Sequence, residues 1–214
     1  MRLNKVNILE FAFLVSTLSS WFFVKIAINP LRKLLPDIPN SRSSHSRIVP
    51  RGGGLVVVLV SSILGIFFGT NAFIYPLPIA LIGLLDDYFN ISRKVRFAIQ
   101  IITVIYMFFD SYLFLEIFSN LNNLLALFVS CLILVSGVAI INFINFIDGI
   151  DGLVTGTMLV LISTSALLLD SSFILLSGSL LGFLYWNWHP AKIFLGDVGS
   201  TYLGTFYLWI LLNT

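Results

Sequence analysis

Five aspartates near the ends of apolar runs are the side chains best suited to chemistry. Asp86 and Asp87 end the apolar run LIGLLDDY, Asp148 and Asp151 lie in NFINFIDGIDGL, and Asp197 lies in NWHPAKIFLGDVGS. Adjacent carboxylates repel each other, and a divalent cation or a shared proton relieves that repulsion. Carboxylate oxygens are the ligands that Mg²⁺ prefers. The alternative for the Asp86–Asp87 pair alone is a solvated helix end.

The second motif forms a polar stripe. Asn142, Asn145, Asp148 and Asp151 recur every three residues, and residues three apart are neighbours on a helix. Two glycines in the motif loosen the helix end and allow a ligand to approach the backbone. The alternative is hydrogen bonding between helices, which explains the asparagines better than the aspartates.

The third motif and a basic loop both offer phosphate-binding features. A glycine-flanked Asp197 at the start of a helix suits a cation held near free backbone N–H groups, although an ordinary N-cap is the alternative. Arg51, in the PRGGG segment 50–54, is suited to bidentate pairing with phosphate. Its alternative role is to set membrane topology.

The composition indicates the class of protein in which these residues lie. The 214 residues are 58% hydrophobic and only 10% charged, and the mean hydropathy is +1.00, whereas a soluble domain carries roughly 25% charge. A net charge of +2 and a single cysteine argue against a nucleic-acid binder and a disulfide scaffold. The continuous apolar runs predict an all-α, polytopic transmembrane protein.

About eight membrane segments are predicted, because a spanning helix needs about 20 mainly apolar residues. A short interfacial helix is expected at 111–122, and we expect one integral membrane domain over 1–214. The predicted segments are 8–28, 54–70, 72–86, 96–110, 123–145, 153–169, 172–188 and 199–213.

The basic residues predict that the N-terminus lies outside, since Lys and Arg concentrate in cytoplasmic loops. This orientation places all five aspartates at cytoplasmic ends of segments or in cytoplasmic loops. The basic residues on that side are Arg32, Lys33, Arg42, Arg47, Arg51, Arg93, Lys94, Arg96 and Lys192, against Arg2 and Lys5 outside.

Hard oxygen ligands, basic residues and glycine loops on one membrane face favour phosphoryl-type transfer between a soluble nucleotide and a membrane lipid. A cation transporter is an alternative, although transporter acids usually lie near the bilayer midplane. A non-enzymatic membrane assembly partner is another.

Four motifs in order resemble the polyprenyl-phosphate N-acetylhexosamine-1-phosphate transferases, a glycosyltransferase family 4-like superfamily. They are PRGGG, the DD pair followed by SRKVRF at 92–97, NFINFIDGIDGL at 142–153, and NWHPAKIFLGDVGS at 187–200. The stretch DIPNSRSSHSRIVPRGGG resembles the branch that initiates O-antigen or capsule lipids more than the muramoyl-pentapeptide branch.

The resemblance implies Mg²⁺-dependent transfer of a sugar 1-phosphate from a UDP-N-acetylhexosamine to undecaprenyl phosphate, which initiates lipid-linked cell-envelope glycan synthesis. Mn²⁺ is an alternative ion. The expected location is the bacterial inner (plasma) membrane, crossed several times. Expected partners besides the substrates are the lipid bilayer and either a second copy of the chain or a separate C-terminal half; no nucleic acid is expected.

The resemblance also assigns roles to individual residues. Asp86, Asp87 and Asp148 are the expected catalytic acids, and Asp197 and Asp148 the expected metal ligands. The expected nucleotide-binding residues are Asp151, Asn187, Phe194 and Asn145, and the expected phosphate-binding residues are Lys94 and Arg51.

The chain departs from the family pattern at its C-terminal end. Family members have about ten helices and a later cytoplasmic loop with a histidine-containing motif. This chain ends at Thr214, and its two histidines, His45 and His189, lie elsewhere. We therefore expect a truncated member, one half of a split enzyme, or an inactive relative.

Overall fold

The chain folds into nine α-helices and one short 3₁₀ helix (Ser171–Phe173) in the part that the computed structural model describes, residues 2–39 and 47–214. Residues 40–46 lie outside it, and with them His45, Arg42 and part of the DIPNSRSSHSRIVPRGGG stretch. The helices are α1 Arg2–Leu34, α2 Gly54–Phe67, α3 Leu77–Phe89, α4 Arg93–Phe109, α5 Tyr112–Asn120, α6 Asn123–Phe146, α7 Leu153–Leu168, α8 Ile174–Asn187 and α9 Gly196–Leu212.

Two helical stretches, Ile8–Leu34 and Asn123–Phe146, are long and apolar enough to cross a membrane, and α4 with α5 forms a third, bent by 66°. Helices α2, α3, α7, α8 and α9 have 13 to 17 residues, fewer than the roughly 20 that a straight crossing needs. The all-α membrane character is thus supported, while the eight crossings and the outside N-terminus stay predictions.

Several predicted boundaries shift for local reasons. The predicted segment 72–86 becomes a helix only from Leu77; Pro76 is its N-cap and Pro78 lies in its first turn, where proline is tolerated. The short helix expected at 111–122 is α5, which begins after Ser111, whose hydroxyl accepts a hydrogen bond from Phe114 N–H.

Helices α1 and α8 pack side by side and run in the same direction. Ser16 Oγ donates to the carbonyl of Leu175, and further along both helices Trp186 Nε1 donates to the carbonyl of Trp21. The C-terminal ends of both helices therefore lie at the same end of the molecule, as the predicted orientation of the first and seventh segments requires.

Helix α9 is the central element and is buried along most of its length. Tyr202, within α9, is fully buried and its hydroxyl lies 3.3 Å from Ser61 Oγ of α2. Helix α6 runs against α9 in the opposite direction, because Ser200 contacts Asn145 while Gly204 lies against Ile141, a turn earlier on α6. The start of α9 thus meets the end of α6.

A two-residue ribbon orders the segment before α2. Strand β1 (Pro36–Asp37) pairs antiparallel with β2 (Val49–Pro50), with Pro36 opposite Pro50. The ribbon carries the PRGGG segment to the start of α9.

Candidate active site

One polar cavity of about 280 Å³ forms where the ends of α3, α6 and α8 meet the start of α9 and the PRGGG segment. Eight of the ten predicted site residues line it; Asp86 and Lys94 do not. The lining residues are Asp37, Arg51, Asp87, Asn145, Asp148, Gly149, Ile150, Asp151, Asn187, Phe194, Leu195, Gly196 and Asp197.

The glycines of PRGGG allow its backbone to bond directly to the chain before α9. Gly53 N–H donates to Phe194 O (2.9 Å) and Gly54 N–H to Leu195 O (2.8 Å). A Cβ on Gly54 would lie 2.7 Å from Leu195 O and from the backbone nitrogen of Gly199, closer than side chains approach backbone. This segment therefore places Phe194 and Asp197 on the cavity wall.

Asp87 caps α9 from a different helix. Its Oδ1 accepts from Asp197 N–H (3.1 Å) and its Oδ2 from Val198 N–H (3.2 Å). A carboxylate is favourable there because the first N–H groups of a helix lack intrahelical partners and carry partial positive charge. Asp87 thereby joins α3 to α9 while still facing the cavity.

Arg96 bridges two of the predicted acids. Its Nη1 donates to Asp86 Oδ2 and, at 2.9 Å, to Asp197 Oδ2. Asp86 therefore contributes through this bridge, and its side chain is only 11% exposed. The bridge ties α3, α4 and α9 together beside the cavity.

Sequence reasoning missed the role of Arg96, although a signal for it exists. Arg96 lies four residues before Gln100, so both occupy one helix face, and Gln100 is buried and bonded to Asn142 of α6. Lys94, two residues before Arg96, points elsewhere on α4 and is exposed, outside the cavity lining.

The predicted nucleotide-binding residues are held by the surrounding backbone. Asp151 Oδ2 lies 2.9 Å from His189 Nδ1 and accepts from Ala191 N–H at 3.0 Å. Asn187 is buried; its oxygen accepts from Thr155 Oγ1 (2.7 Å) and its nitrogen donates to Ile193 O (3.0 Å).

Asn145 and Phe194 complete that wall. The side-chain oxygen of Asn145 accepts from Ser200 Oγ at 2.5 Å, which fixes the amide against the start of α9. Phe194 is half-buried and presents a flat apolar side chain among polar neighbours. An aromatic ring beside fixed amide and carboxylate groups is suited to binding a planar base.

Negative charge dominates the cavity. Among the residues that the structure describes, five carboxylates line it, against the guanidinium of Arg51, which is itself paired with Asp37 at 2.8 Å. Burial raises the pKa of Asp148 well above its ordinary value, and the nearby Asp197 and Asp87 raise it further. The hydrogen bond from Arg51 to Asp37 likewise raises the pKa of Arg51.

The donor set suits a hard cation, although it is not closed around one. Within residues 2–39 and 47–214, no three His, Cys, Asp or Glu side chains form a ready-made metal site. Asp87, Asp148 and Asp197 face one cavity, so a bound anion would have to supply the remaining ligands, as substrate phosphates commonly do for Mg²⁺.

Comparison with known proteins identifies the family. The family model of glycosyl transferase family 4 matches residues 70–214. The chain belongs to glycosyl transferase family 4. Of the four motifs, the family model covers the three that follow residue 70; PRGGG precedes it.

Individual relatives agree with this membership. A probable undecaprenyl-phosphate N-acetylglucosaminyl 1-phosphate transferase of Bacillus subtilis (strain 168) is 36% identical, over 90% of this chain and 59% of the relative. The undecaprenyl-phosphate alpha-N-acetylglucosaminyl 1-phosphate transferase of Escherichia coli (strain K12) is 33% identical, over 94% and 60%.

The muramoyl-pentapeptide branch is also represented. A phospho-N-acetylmuramoyl-pentapeptide-transferase of Wolbachia is 31% identical, over 91% of this chain and 68% of the relative. The chain spans about three fifths of the length of the first two relatives. The choice between branches stays a prediction.

Proposed function

We propose that this chain forms the catalytic centre for transfer of N-acetylhexosamine 1-phosphate from a UDP-sugar to undecaprenyl phosphate. The observation that carries the proposal is the single cavity that gathers carboxylates from three helix ends with a fixed amide and an aromatic ring. The names of the Bacillus and Escherichia relatives make N-acetylglucosamine the first sugar to test.

The charge of the cavity supports a requirement for Mg²⁺, with Mn²⁺ as a substitute. A diphosphate donor is an anion, and a wall of five carboxylates with one guanidinium repels it unless a cation intervenes. Asp197 and Asp148, with Asp87 beside them, would hold the ion. When bound, Mg²⁺ neutralises the diphosphate and the charge that develops during transfer.

The reaction exchanges one phosphoanhydride linkage for another. An oxygen of the lipid phosphate bonds to the donor phosphorus that carries the sugar, and the bond from that phosphorus to the UMP oxygen breaks. Little base strength is needed because a lipid phosphate is largely ionised near neutral pH. Asp87, which faces the cavity, is the first candidate for a base, and Asp86 could serve only if it were released from Arg96. Arg51 is the candidate for positioning phosphate oxygens; Lys94 retains only its proposed role in neutralising phosphate.

An apolar cavity of about 460 Å³ between α6, α7 and α9 supports a lipid acceptor. Ile144 and Ile147 line it and flank Asn145 and Asp148 of the polar cavity in the sequence. A polyprenyl chain in the apolar cavity would place its phosphate at the carboxylates. In this arrangement the polar cavity opens toward the cytoplasm, where nucleotide sugars are found, and the protein spans the bacterial inner membrane.

Cation transport is the alternative function for the acids. Asp87 lies in the last turn of α3, Asp148 two residues beyond α6, and Asp197 in the first turn of α9. Because the broken helices of transporters also end near the bilayer midplane, depth-dependent labelling of cysteines placed at positions 86, 148 and 197 distinguishes the two functions, and midplane burial would favour transport.

The test is a transfer assay in membranes with undecaprenyl phosphate, Mg²⁺ and a panel of UDP-N-acetylhexosamines. The 214-residue chain is assayed beside a version joined to the C-terminal part of the Bacillus relative. We expect UMP and a lipid diphosphate sugar, with loss of product in Asp197→Asn and normal yield in Glu116→Gln, an exposed acid on α5. If neither wild-type version forms product although the protein is verified in the membrane, the proposal is overturned.

A further inference from the structure

A second cavity, of about 500 Å³, lies behind the wall formed by Asp151 and Phe194. Arg32, Arg47 and Lys192 line it, and within residues 2–39 and 47–214 Asp151 is the one carboxylate that does. Its charge is therefore opposite to that of the acidic cavity, with which it shares two residues. Asp151 is held at the wall by hydrogen bonds from His189 and from Ala191 N–H.

The cations converge from separate elements. Arg32 belongs to the last turn of α1, Arg47 precedes β2, and Lys192 lies between α8 and α9. Lys33, next to Arg32, is exposed and does not line the cavity. Positive-inside topology explains the number of basic residues on this face but not the selection of these three around one cavity.

An apolar groove of about 730 Å³ lies between α1 and α8, and its lining residue Trp188 directly precedes His189 of the basic cavity. Trp21, Tyr185 and Trp188 line the groove. The Lys192 ammonium lies 5.9 Å from the Tyr185 ring centroid and 5.0 Å from that of Trp186, so it stands over the end of the groove. Lys25 lies over Trp21 in the same way, at 5.5 Å.

We propose that the groove and the basic cavity together bind one anionic phospholipid of the bilayer. Guanidinium groups pair with phosphate oxygens, and a lysine ammonium adds a point charge. Aromatic side chains such as Trp21 and Tyr185 are typical of the interface between acyl chains and headgroups. The acyl chains lie along the α1–α8 groove and the phosphate lies between Arg32 and Lys192. This phosphate site adjoins the proposed donor site across the wall formed by Asp151 and Phe194, and the proposal does not depend on transferase activity.

Tryptophan fluorescence tests the proposal with the chain in nanodiscs. Trp21, Trp186 and Trp188 lie at the site, and Trp209→Phe removes the remaining tryptophan, which packs against Tyr75 and Phe173 elsewhere. Phosphatidylcholine discs contain a small fraction of either brominated phosphatidylglycerol or brominated phosphatidylcholine at equal bromine content. We expect stronger quenching by the brominated phosphatidylglycerol.

Charge variants of the same background identify the residues responsible. Arg32→Gln with Lys192→Gln should lower the preference for phosphatidylglycerol by about 25-fold, since each basic residue near an anionic lipid surface contributes about fivefold. Lys33→Gln, the matched control, should keep the preference. Far-ultraviolet circular dichroism checks that each variant is folded.

Three results would overturn the proposal. Equal quenching by the two brominated lipids would show that the site does not prefer an anionic lipid. If the double variant keeps the preference for phosphatidylglycerol, the basic cavity is not the lipid-binding site. Relief of quenching by undecaprenyl phosphate at mole fractions where unbrominated phosphatidylglycerol gives none would assign the site to the acceptor lipid.

Discussion

Replacing Arg96 with alanine should loosen the contact between α3, α4 and α9. Each hydrogen bond between charged groups contributes about 1.5–3 kcal/mol, and Arg96 makes two, to Asp86 and Asp197. The Arg96 side chain is 24% exposed, which reduces both contributions through solvent screening. We therefore expect Arg96→Ala to lower the free energy of unfolding by about 2–4 kcal/mol, below the upper limit for breaking a fully buried pair.

Arg96→Lys should lose about half as much, because one ammonium cannot match the geometry of a guanidinium that reaches two carboxylates. A double-mutant cycle of Asp86→Asn with Arg96→Gln should give a coupling energy of about 1–3 kcal/mol. The measurement is reversible unfolding of the purified chain in mixed micelles of increasing SDS content, followed by circular dichroism.

Arg93→Gln is the matched control for this series. Arg93 is exposed one turn before Arg96 on α4, and its replacement should change stability by less than about 0.5 kcal/mol. An Arg96→Ala protein as stable as Arg93→Gln, or a cycle with no coupling, would refute the bridging role.

Three further predictions concern the cavity walls. Gly54→Ala should destabilise the fold by about 1–3 kcal/mol, because its Cβ would meet backbone atoms of Gly199. Gly156→Ala is the control, since a Cβ there enters open space on α7, and it should be neutral or stabilising in the same unfolding experiment. Asp148→Asn should stabilise the metal-free protein at pH 7 and not near pH 3. Burial raises the folded-state pKa of Asp148, so its ionisation above the unfolded pKa of about 3.9 costs stability. Unfolding in EDTA across this pH range measures the difference, and equal stability of the two proteins at pH 7 would contradict the prediction. Asp151→Ala should raise the KM for the UDP-sugar by about tenfold with a smaller change in kcat, and an unchanged KM in steady-state assays would remove Asp151 from the donor site.

The convergence of the motif residues could be predicted because it depends on features that sequence carries. Apolar runs and basic loops placed the ends of several segments on one face, and the motifs lie at those ends. Asp148, Asp151 and Asp197 accordingly line one cavity, with Asn187 and Phe194 beside them.

The different contacts of Asp86 and Asp87 could not be predicted from the sequence. As neighbours they looked like a mutually repelling pair. The structure separates them, since Asp86 pairs with Arg96 while Asp87 caps α9. Both contacts depend on how α3, α4 and α9 lie relative to one another, which hydrophobic periodicity does not specify. Lys94 was favoured over Arg96 because the helical spacing of Arg96 and Gln100, which places both on one face of α4, was not used.

The sequence also did not predict that one cavity is acidic and its neighbour basic. Arg32 and Lys192 are 160 positions apart in the sequence and were interpreted only as signals of membrane orientation. The parallel packing of α1 with α8 brings them to one cavity. Counting charges in a loop shows on which side of the membrane it lies, whereas a binding surface depends on which helix ends are neighbours.

Binding of Mn²⁺ to the purified chain tests the central claim most directly, since the claim is that the acidic cavity holds a cation together with a nucleotide diphosphate. Electron paramagnetic resonance measures protein-bound Mn²⁺ in the presence of UDP-N-acetylglucosamine. The account predicts one ion per chain, with affinity unchanged in Glu116→Gln and at least about tenfold weaker in Asp197→Asn, because even indirect partners of a metal ligand contribute that much. Equal affinity in the wild-type and Asp197→Asn proteins, or no retained Mn²⁺ in either, would contradict it.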